Sequence, residues 1–423
     1  MESFTIQIIT TMRINDNFEK VAESYLFSEV ASRLDTFRKE NPGSDIIRMD
    51  IGDVTLPMAR CVTEAMHRAV DDLSECDTFH GYGPEQGYAF LREAIAKGDY
   101  AARGIEISAD DIFISDGAKS DLGNLGDIYS EDSIVALADP GYPVYLDAAV
   151  MSGRGGELKD GRWSRIVYLD CTSANGYKPV PPAKHADVVI LCSPSNPTGA
   201  AFTRAELEVW VGYALREKAL IIYDSAYEAY VGTPGVPRSI YEIPGAEKVA
   251  IEVRSFSKTA GFTGLRCGYT VVPASLKGTD GAGREIPLRN LWNRRQTTKF
   301  NGVSYVTQRG AEALYTPEGR KYIEETISIY KGNARIIRDR MQADGFEVFG
   351  GEDSPYVWVR SAHGESSWEL FDRFLRTARI SCTPGSGFGR NGEGFVRFTG
   401  FNSRAKTEEA MERVEKSLKE IIE

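Results

Sequence analysis

The residues best suited to chemistry in this chain form a short string, Ser255-Phe256-Ser257-Lys258, with Arg266 eight positions further on. A lysine forms a Schiff base with a carbonyl compound when its surroundings hold it rigidly and keep part of it unprotonated. Two hydroxyl groups and a guanidinium beside it would suit a phosphate group. Taken alone, Lys258 could equally be one exposed lysine among many, so this interpretation needs support from other motifs.

A second string, Asp224-Ser225-Ala226-Tyr227, directly follows an apolar run. A buried carboxylate at such a strand end can pair with a protonated pyridine nitrogen and keep a cofactor ring electron-withdrawing. Tyr227 could donate a hydrogen bond to a phenolate oxygen of the same ring. The alternatives are a helix N-cap for Asp224 and a core position for Tyr227.

Two loops after other apolar runs could orient a flat ring. The loop 193–199 holds Asn196 among prolines, which fixes one amide group at a strand end. The turn 139–143 presents Tyr142, whose aromatic face could stack on a ring. Each loop could also be an ordinary turn.

A glycine turn, Asp116-Gly117-Ala118-Lys119, opens a predicted helix. Backbone N–H groups at a helix start attract anions, and a glycine allows the anion to approach closely. The amides near Ala118 and Lys119 are therefore candidate phosphate donors, although a lone glycine turn is weak support.

These motifs need a scaffold that brings strand ends together. Short apolar runs recur between about residues 111 and 272, and each ends in or near Gly, Pro or Asp, which is typical of buried strands. The stretch 203–218 predicts a helix, because Thr203 and Glu206 can form a capping box and apolar residues through Leu215 share one face. The sequence therefore predicts an α/β fold, a three-layer α/β/α domain with a mostly parallel sheet and a ligand crevice outside the carboxyl ends of its strands. The runs are 112–117, 134–141, 165–170, 188–197, 219–225 and 249–257.

The rest of the chain predicts a smaller α+β domain. Residues 300–423 combine long helical stretches with short strands. We assign residues 1–60 to an N-terminal arm and part of this small domain, 61–299 to the large domain, and 300–423 to the small C-terminal domain. The segment 275–287 is the most loop-like stretch.

Composition narrows the possible functions. Among 423 residues, 50 are Lys or Arg and 61 are Asp or Glu, a net charge of −11 that argues against nucleic acid or an anionic membrane as a partner. Six cysteines without a C-x-x-C pair favour the cytoplasm. The four histidines form no ligand-spaced group, so no metal is expected. Neither a membrane span nor a secretion signal is apparent.

The order of the motifs resembles that of the fold type I aminotransferases, which use pyridoxal 5′-phosphate. The resemblance implies that Lys258 makes the Schiff base and moves the α-proton, that Asp224 faces the pyridine nitrogen, and that Asn196 and Tyr227 hold the phenolate oxygen. It also implies that Tyr142 stacks on the ring. The implied phosphate ligands are Ser255, Ser257, Arg266 and the amides near Ala118 and Lys119, joined by Tyr82 from a neighbouring subunit.

In the small domain, Arg397 of Phe395-Val396-Arg397-Phe398-Thr399 matches the family arginine that clamps the substrate α-carboxylate. A surface arginine on an alternating strand is the alternative.

Finer motifs resemble the LL-diaminopimelate aminotransferase family, which moves an amino group between L-glutamate and tetrahydrodipicolinate. They are Met12–Asn15, Ser24–Glu29, Asp50–Asp53, Gly81–Gly87, the Asp-Gly-Ala-Lys turn and Lys299–Gly302. Diaminopimelate carries a second zwitterion, so its far end needs an acceptor for an ammonium and donors for a carboxylate.

The resemblance supplies these groups from two subunits of a homodimer with shared active sites. Glu85 is the implied acceptor, Lys119 and Asn301 are the implied donors, Tyr25 and Tyr142 wall the pocket, and Gly52 and Asn196 also contact substrate. Alternatively, Glu85 could lie in the first turn of a helix and favour its dipole, and Tyr25 could be core.

Two other functions stay open at this point. The chain could be another fold type I aminotransferase of acidic or aromatic specificity, because the cofactor residues are shared. It could also be a non-catalytic, ligand-sensing domain.

Overall fold

The computed structural model describes residues 12–21, 26–417 and 421. Its strands are β1 (Ile47–Arg48), β2 (Ile112–Ser115), β3 (Val135–Asp139), β4 (Leu158–Lys159), β5 (Arg162–Trp163), β6 (Ile166–Asp170), β7 (Val188–Cys192), β8 (Leu220–Asp224), β9 (Ala250–Ser255), β10 (Gly268–Val271), β11 (Lys277–Thr279), β12 (Glu285–Pro287), β13 (Glu347–Gly350), β14 (Tyr356–Arg360), β15 (Ile380–Ser381), β16 (Thr383–Pro384) and β17 (Phe395–Thr399). Its α-helices are α1 (Leu26–Glu40), α2 (Arg60–Asp72), α3 (Ala89–Ile95), α4 (Ala118–Asn124), α5 (Pro143–Met151), α6 (Arg204–Glu217), α7 (Phe256–Ala260), α8 (Leu288–Lys299), α9 (Tyr305–Glu312), α10 (Pro317–Ala343), α11 (Ser367–Arg373) and α12 (Arg404–Lys416).

A seven-stranded sheet in the order β2-β10-β9-β8-β7-β3-β6 forms the centre of the fold. All its neighbours pair in parallel except β10, which is antiparallel to both β2 and β9. The six predicted apolar runs form the six parallel strands, so the predicted sheet is confirmed, but β10 was not predicted. Because β10 runs in the opposite direction, its first residue, Gly268, pairs with the last residues of β2 and β9.

Helices cover both faces of this sheet, and strand alternation explains why. In β7, Val189 and Leu191 pack in an apolar cluster with α6, whereas Val188 and Ile190 pack on the other face with α4, α5 and α8. Successive side chains of a strand point to opposite faces, so a run that is apolar at every position must be covered twice. The predicted three-layer arrangement follows.

Helix α6 begins as its sequence predicts. Thr203 accepts a hydrogen bond from the Glu206 amide, and the Glu206 carboxylate accepts one from the Thr203 amide. Leu207, Trp210 and Val211 are buried against the sheet, whereas Leu215, near the end of the helix, is 46% exposed.

A second, four-stranded antiparallel sheet in the order β13-β14-β17-β16 carries the C-terminal part. Helices α10, α11 and α12 pack on it in one apolar cluster, which also contains Val30, Leu34 and Phe37 of α1. Strand β1 pairs in parallel with β15. The N-terminal helix thus shares a core with the C-terminal elements; the domain boundaries at 60 and 299 stay predictions.

Helix α10 links the two parts of the fold. It has 27 residues and is about 40 Å long at 1.5 Å per residue. Ile323 packs in the apolar cluster that contains residues of β2 and β10. Ile327 and Tyr330 pack in a cluster with Tyr230, which contacts the Lys258 segment. Ile337 packs in the cluster of the second sheet.

The segment 275–287 is a hairpin of β11 and β12 instead of a loop throughout. Asp280 makes its turn, accepting hydrogen bonds from the amides of Ala282 and Arg284, and Gly283 adopts φ +76°. Within the described residues, no helix has both the length and the apolar character needed to cross a bilayer.

Candidate active site

A cavity of about 490 Å³ opens at the carboxyl edge of the central sheet. Strands β2, β7, β8 and β9 end here, and β10 begins here, which explains how Arg266, two residues before an antiparallel strand, reaches the same edge. Twelve residues predicted from the sequence line this one cavity. They are Gly52, Ala118, Lys119, Tyr142, Asn196, Asp224, Tyr227, Ser255, Ser257, Lys258, Arg266 and Arg397.

Lys258 lies on α7, the short helix that directly follows β9. Its carbonyl oxygen accepts a hydrogen bond from Tyr230 Oη at 3.1 Å, and its Nζ lies 3.8 Å from Asp53 Oδ1. Burial lowers the pKa of Lys258 to about 8; the Asp53 carboxylate opposes this shift, and the cations Arg266 and Arg397 add to it. The cavity therefore keeps part of this amine neutral near pH 7, as a nucleophilic lysine requires.

We expect the reactivity of Lys258 to rise through pH 8. At pH 7 a pKa of about 8 leaves roughly one-tenth of the amine neutral, compared with roughly 0.03% for an ordinary lysine. Reductive methylation of cofactor-free protein, quantified at Lys258 by mass spectrometry, should show a midpoint near pH 8. The exposed Lys277 is the internal control, and a midpoint at or above 10 for Lys258 would contradict the assignment.

Asp224, the last residue of β8, is buried. Its Oδ2 accepts a hydrogen bond from Tyr145 Oη at 2.6 Å and its Oδ1 one from the Ala226 amide at 3.1 Å. Burial raises its pKa, which these two donors oppose. No α-helix begins beside it, so it is not the N-cap that the sequence left open. Within the described residues no cation pairs with this carboxylate. A cationic group of a ligand could therefore pair with it.

Arg397 on β17 is 1% exposed. Its Nη1 donates to Asn196 Oδ1 at 2.6 Å and its Nη2 to the Asp50 carbonyl at 3.0 Å, while its Nε is buried without a hydrogen-bond partner among the described residues. No described carboxylate forms an ion pair with it. The alternative of an exposed surface arginine is therefore wrong. A buried guanidinium without an ionic partner would be stabilised by a bound anion.

Aromatic rings lie against this guanidinium. It lies 4.3 Å from the ring centroid of Tyr356, and Tyr356 Oη shares a 2.8 Å hydrogen bond with Tyr227 Oη. A Cβ at Gly52 would come within 3.0 Å of Tyr356 Oη, so a glycine there lets the backbone approach the pair.

The candidate phosphate cradle is built from close backbone contacts. A Cβ on Gly117, which has φ +123°, would lie 2.5 Å from Arg266 Nη2, and one on Gly268 would lie 2.9 Å from the Gly117 Cα. Arg266 itself adopts φ +62°, a conformation that is uncommon for a non-glycine residue. Ser255 Oγ accepts a hydrogen bond from the Ser257 amide at 3.1 Å.

Three predicted residues do not line the cavity. Tyr82 is 93% exposed, Asn301 is exposed and Glu85 is half-buried. Glu85 lies in a turn, not in the helix that the sequence left as an alternative, because α3 begins only at Ala89. Tyr25 lies outside the described residues.

Glu85 and Asn301 belong to adjacent segments. A Cβ on Gly302 would lie 3.7 Å from the Glu85 Cα. One patch of this chain therefore carries two of the three predicted distal residues, neither of which lines its own Lys258 cavity.

Sequence reasoning missed Asp53, Tyr145 and Tyr356 as cavity residues. Tyr145 could have been found, because it follows Tyr142 by one helical turn. Tyr356 could not, since only the pairing of β14 with β17 brings it to Arg397. Among the described residues, no three His, Cys, Asp or Glu side chains are grouped to hold a metal ion.

The fold and the cavity define a class of protein. Residues 44–414 match the model of the family described as aminotransferase class I and II. The chain belongs to this family, and the predicted fold class is confirmed.

The proteins that this chain is similar to indicate a narrower group within that family. LL-diaminopimelate aminotransferase of Phocaeicola vulgatus is 54% identical over 405 residues, covering 96% of this chain and 99% of that protein. The enzyme of the same name from Bacteroides fragilis is 54% identical over 407 residues, with 96% and 99% coverage. The structure of L,L-diaminopimelate aminotransferase from Chlamydomonas reinhardtii superposes with a TM-score of 0.90 at 42% identity, covering 97% of this chain and 99% of that one.

Proposed function

We propose that this protein is a cytoplasmic, homodimeric aminotransferase that exchanges an amino group between L-glutamate and tetrahydrodipicolinate, giving 2-oxoglutarate and LL-2,6-diaminopimelate, with pyridoxal 5′-phosphate as cofactor. One observation carries the proposal: the cavity that holds Lys258 also holds a buried carboxylate, Asp224, and a buried guanidinium, Arg397, neither of which has an ionic partner in the described residues. A cationic ring nitrogen would pair with Asp224, and a substrate carboxylate would pair with Arg397.

The residues present fit pyridoxal 5′-phosphate. The glycine-lined turn at Gly117 and the donors Ser255, Ser257 and Arg266 suit its phosphate. Asp224 would pair with its protonated pyridine nitrogen. Tyr142 would stack on its ring. When bound, this cofactor supplies the electron sink for the pair left at the substrate Cα and carries the amino group between the two half-reactions.

The protein's own part is to hold the substrate and move a proton. Arg397 would bind the α-carboxylate with its guanidinium, a two-point contact that fixes the orientation of the Cα–H bond. Lys258, neutral for part of the time at pH 7, would then take the proton from the substrate Cα and hold it as an ammonium until it is passed on. Asn196, already bonded to Arg397, would link this clamp to the cofactor's phenolate side.

Recognition of the far end of diaminopimelate is assigned to residues of two subunits. Glu85 would accept hydrogen bonds from the distal ammonium, and Asn301 with Lys119 would donate to the distal carboxylate, with Tyr25 and Tyr142 beside them. Glu85, Asn301 and Tyr82 lie outside the Lys258 cavity of their own chain, as a site completed by a partner subunit requires.

The direct test follows the cofactor's absorbance in single-turnover half-reactions. LL-diaminopimelate and L-glutamate should react at least about tenfold faster than L-aspartate or L-phenylalanine. Faster reaction with aspartate or phenylalanine would instead indicate an aminotransferase of acidic or aromatic specificity. Absence of any spectral change with all four would indicate a non-catalytic ligand-sensing protein.

We expect Glu85→Gln to separate the two substrates. Loss of a hydrogen bond to a charged group costs about 1.5–3 kcal/mol, so the LL-diaminopimelate half-reaction should slow by roughly 10- to 100-fold while that of L-glutamate changes little. Glu106→Gln, an exposed carboxylate elsewhere, is the control. Equal losses for both substrates would contradict the role of Glu85.

A heterodimer tests the shared site. We expect a dimer of one Lys258→Ala chain and one Glu85→Gln chain, isolated with two affinity tags, to regain about half of the wild-type LL-diaminopimelate turnover, because one of its two sites then contains both residues intact. If each site were built from one chain, the heterodimer would show only half the activity of the Glu85→Gln homodimer.

A further inference from the structure

A second cavity of about 550 Å³ lies against α10 and shares no lining residue with the Lys258 cavity. Its wall contains six cationic side chains and a single carboxylate, Glu324. The chain as a whole has a net charge of −11, so the charge of this wall is opposite in sign to that of the protein. The six cations are Arg103, Arg238, Arg320, Lys331, Arg335 and Arg404.

The cations come from three parts of the fold. Arg103 and Arg238 belong to segments beside the central sheet, and Arg404 is the first residue of α12. Lys331 and Arg335 are one turn apart on α10, so they project from the same face. Like charges at this spacing destabilise a helix, and a bound anion would remove that repulsion.

Three of the six cations already contact a carboxylate. Glu228 lies 2.8 Å from Arg238 and 3.5 Å from Arg103, and Asp99 lies 3.3 Å from Arg320. Burial works to raise the pKa of Glu228, but the neighbouring guanidiniums lower it to about 2, so this carboxylate stays ionised.

The other three cations have no such partner. Lys331, Arg335 and Arg404 have no ion pair and no hydrogen bond with any described residue, in a protein where most arginines are paired. In the same wall, Arg103 Nη1 is buried and also lacks a hydrogen-bond partner in the part of the chain described. The donors of Lys331, Arg335 and Arg404 are available to an anion with several oxygen atoms.

Gly332 helps to place one of the three. It lies in the middle of α10, where glycine is less favourable than alanine, and a Cβ there would come 2.3 Å from Arg404 Nη2. The missing side chain therefore lets the Arg404 guanidinium lie directly on the helix, at the edge of the cavity.

We propose that this cavity is a binding site for a small, multiply charged oxyanion, a phosphate-bearing or polycarboxylate molecule held by Lys331, Arg335 and Arg404. Guanidinium groups match the paired oxygens of both chemistries, and the volume is that of a small-molecule site. A ligand here would contact α10 and α12 together with segments of the central-sheet region.

Calorimetric titration of the cofactor-loaded protein at low ionic strength tests the proposal, with inorganic pyrophosphate and citrate as separate probes. Saturable binding of either probe is expected, and which one binds identifies the chemistry. The variant K331Q/R335Q/R404Q should bind at least tenfold more weakly. The variant K277Q/R284Q/R360Q, which removes three exposed cations elsewhere, should bind as the wild type does.

Gly332→Ala provides a second variant that leaves the charge unchanged. It should weaken binding several-fold, although its helix propensity is better. The proposal is overturned if neither probe binds, if the two triple variants lose affinity equally, or if the cofactor's absorbance changes during titration, since that would place the anion in the Lys258 cavity.

Discussion

Replacing Lys258 with alanine is expected to reduce transamination by about 10⁴-fold or more, since it removes both the covalent attachment point and the proton carrier. The variant should still fold, because the Lys258 side chain makes no hydrogen bond in the described residues and its helix is held through its backbone carbonyl. Borohydride treatment of the wild-type holoenzyme should fix the cofactor to the peptide containing Lys258, and the variant should release its cofactor on dialysis.

Lys277→Ala is the matched control for this experiment. That lysine lies on the hairpin, paired with Glu285, and its loss should leave both turnover and cofactor attachment unchanged. Retention of more than a few per cent of activity by Lys258→Ala would contradict the proposed catalytic role of Lys258.

Replacing Arg397 with glutamine is expected to lower kcat/KM by about 10²- to 10³-fold, equivalent to roughly 3–4 kcal/mol, because a buried charged pair loses one partner. The loss should be similar for L-glutamate and LL-diaminopimelate, since both present the same α-carboxylate. Arg397→Lys keeps the charge but not the planar fork, and should recover only part of the rate.

The control for Arg397 lies on the neighbouring strand. Arg360 faces Phe395 in the same sheet and is exposed beside Glu347, so Arg360→Gln should leave kcat/KM unchanged. Circular dichroism would verify that Arg397→Gln is folded. A loss confined to one of the two substrates would show that Arg397 does not bind the shared carboxylate.

Much of this site could be predicted because its residues follow directly after strands. Apolar runs of four to six residues identify buried strands, and parallel strands must end at one edge, so Ser255, Asp224 and Asn196 had to lie near each other. At these positions, the residue types that suit the chemistry are also the ones that the topology of the sheet brings together. Nine of the twelve cavity residues predicted from the sequence lie at or after such strand ends; Gly52, Arg266 and Arg397 do not.

What could not be predicted depends on pairing between distant segments. Strand β10 is short and contains a glycine, so its antiparallel insertion between β2 and β9 has no local signature. Asp53 and Tyr356 reach the cavity only because β1 and β14 belong to the second part of the fold. Leu215 fits the apolar periodicity of α6, yet its side chain is 46% exposed.

Helix α10 has a consequence for how this protein unfolds. Its successive turns contribute Ile323, Ile327 and Ile337 to three separate apolar clusters, so melting either sheet would expose apolar surface on the same rigid rod. The two halves of the chain therefore stabilise one another through a common helix. A cut near residue 300 would leave two fragments, each lacking part of its core, instead of two independent folding units.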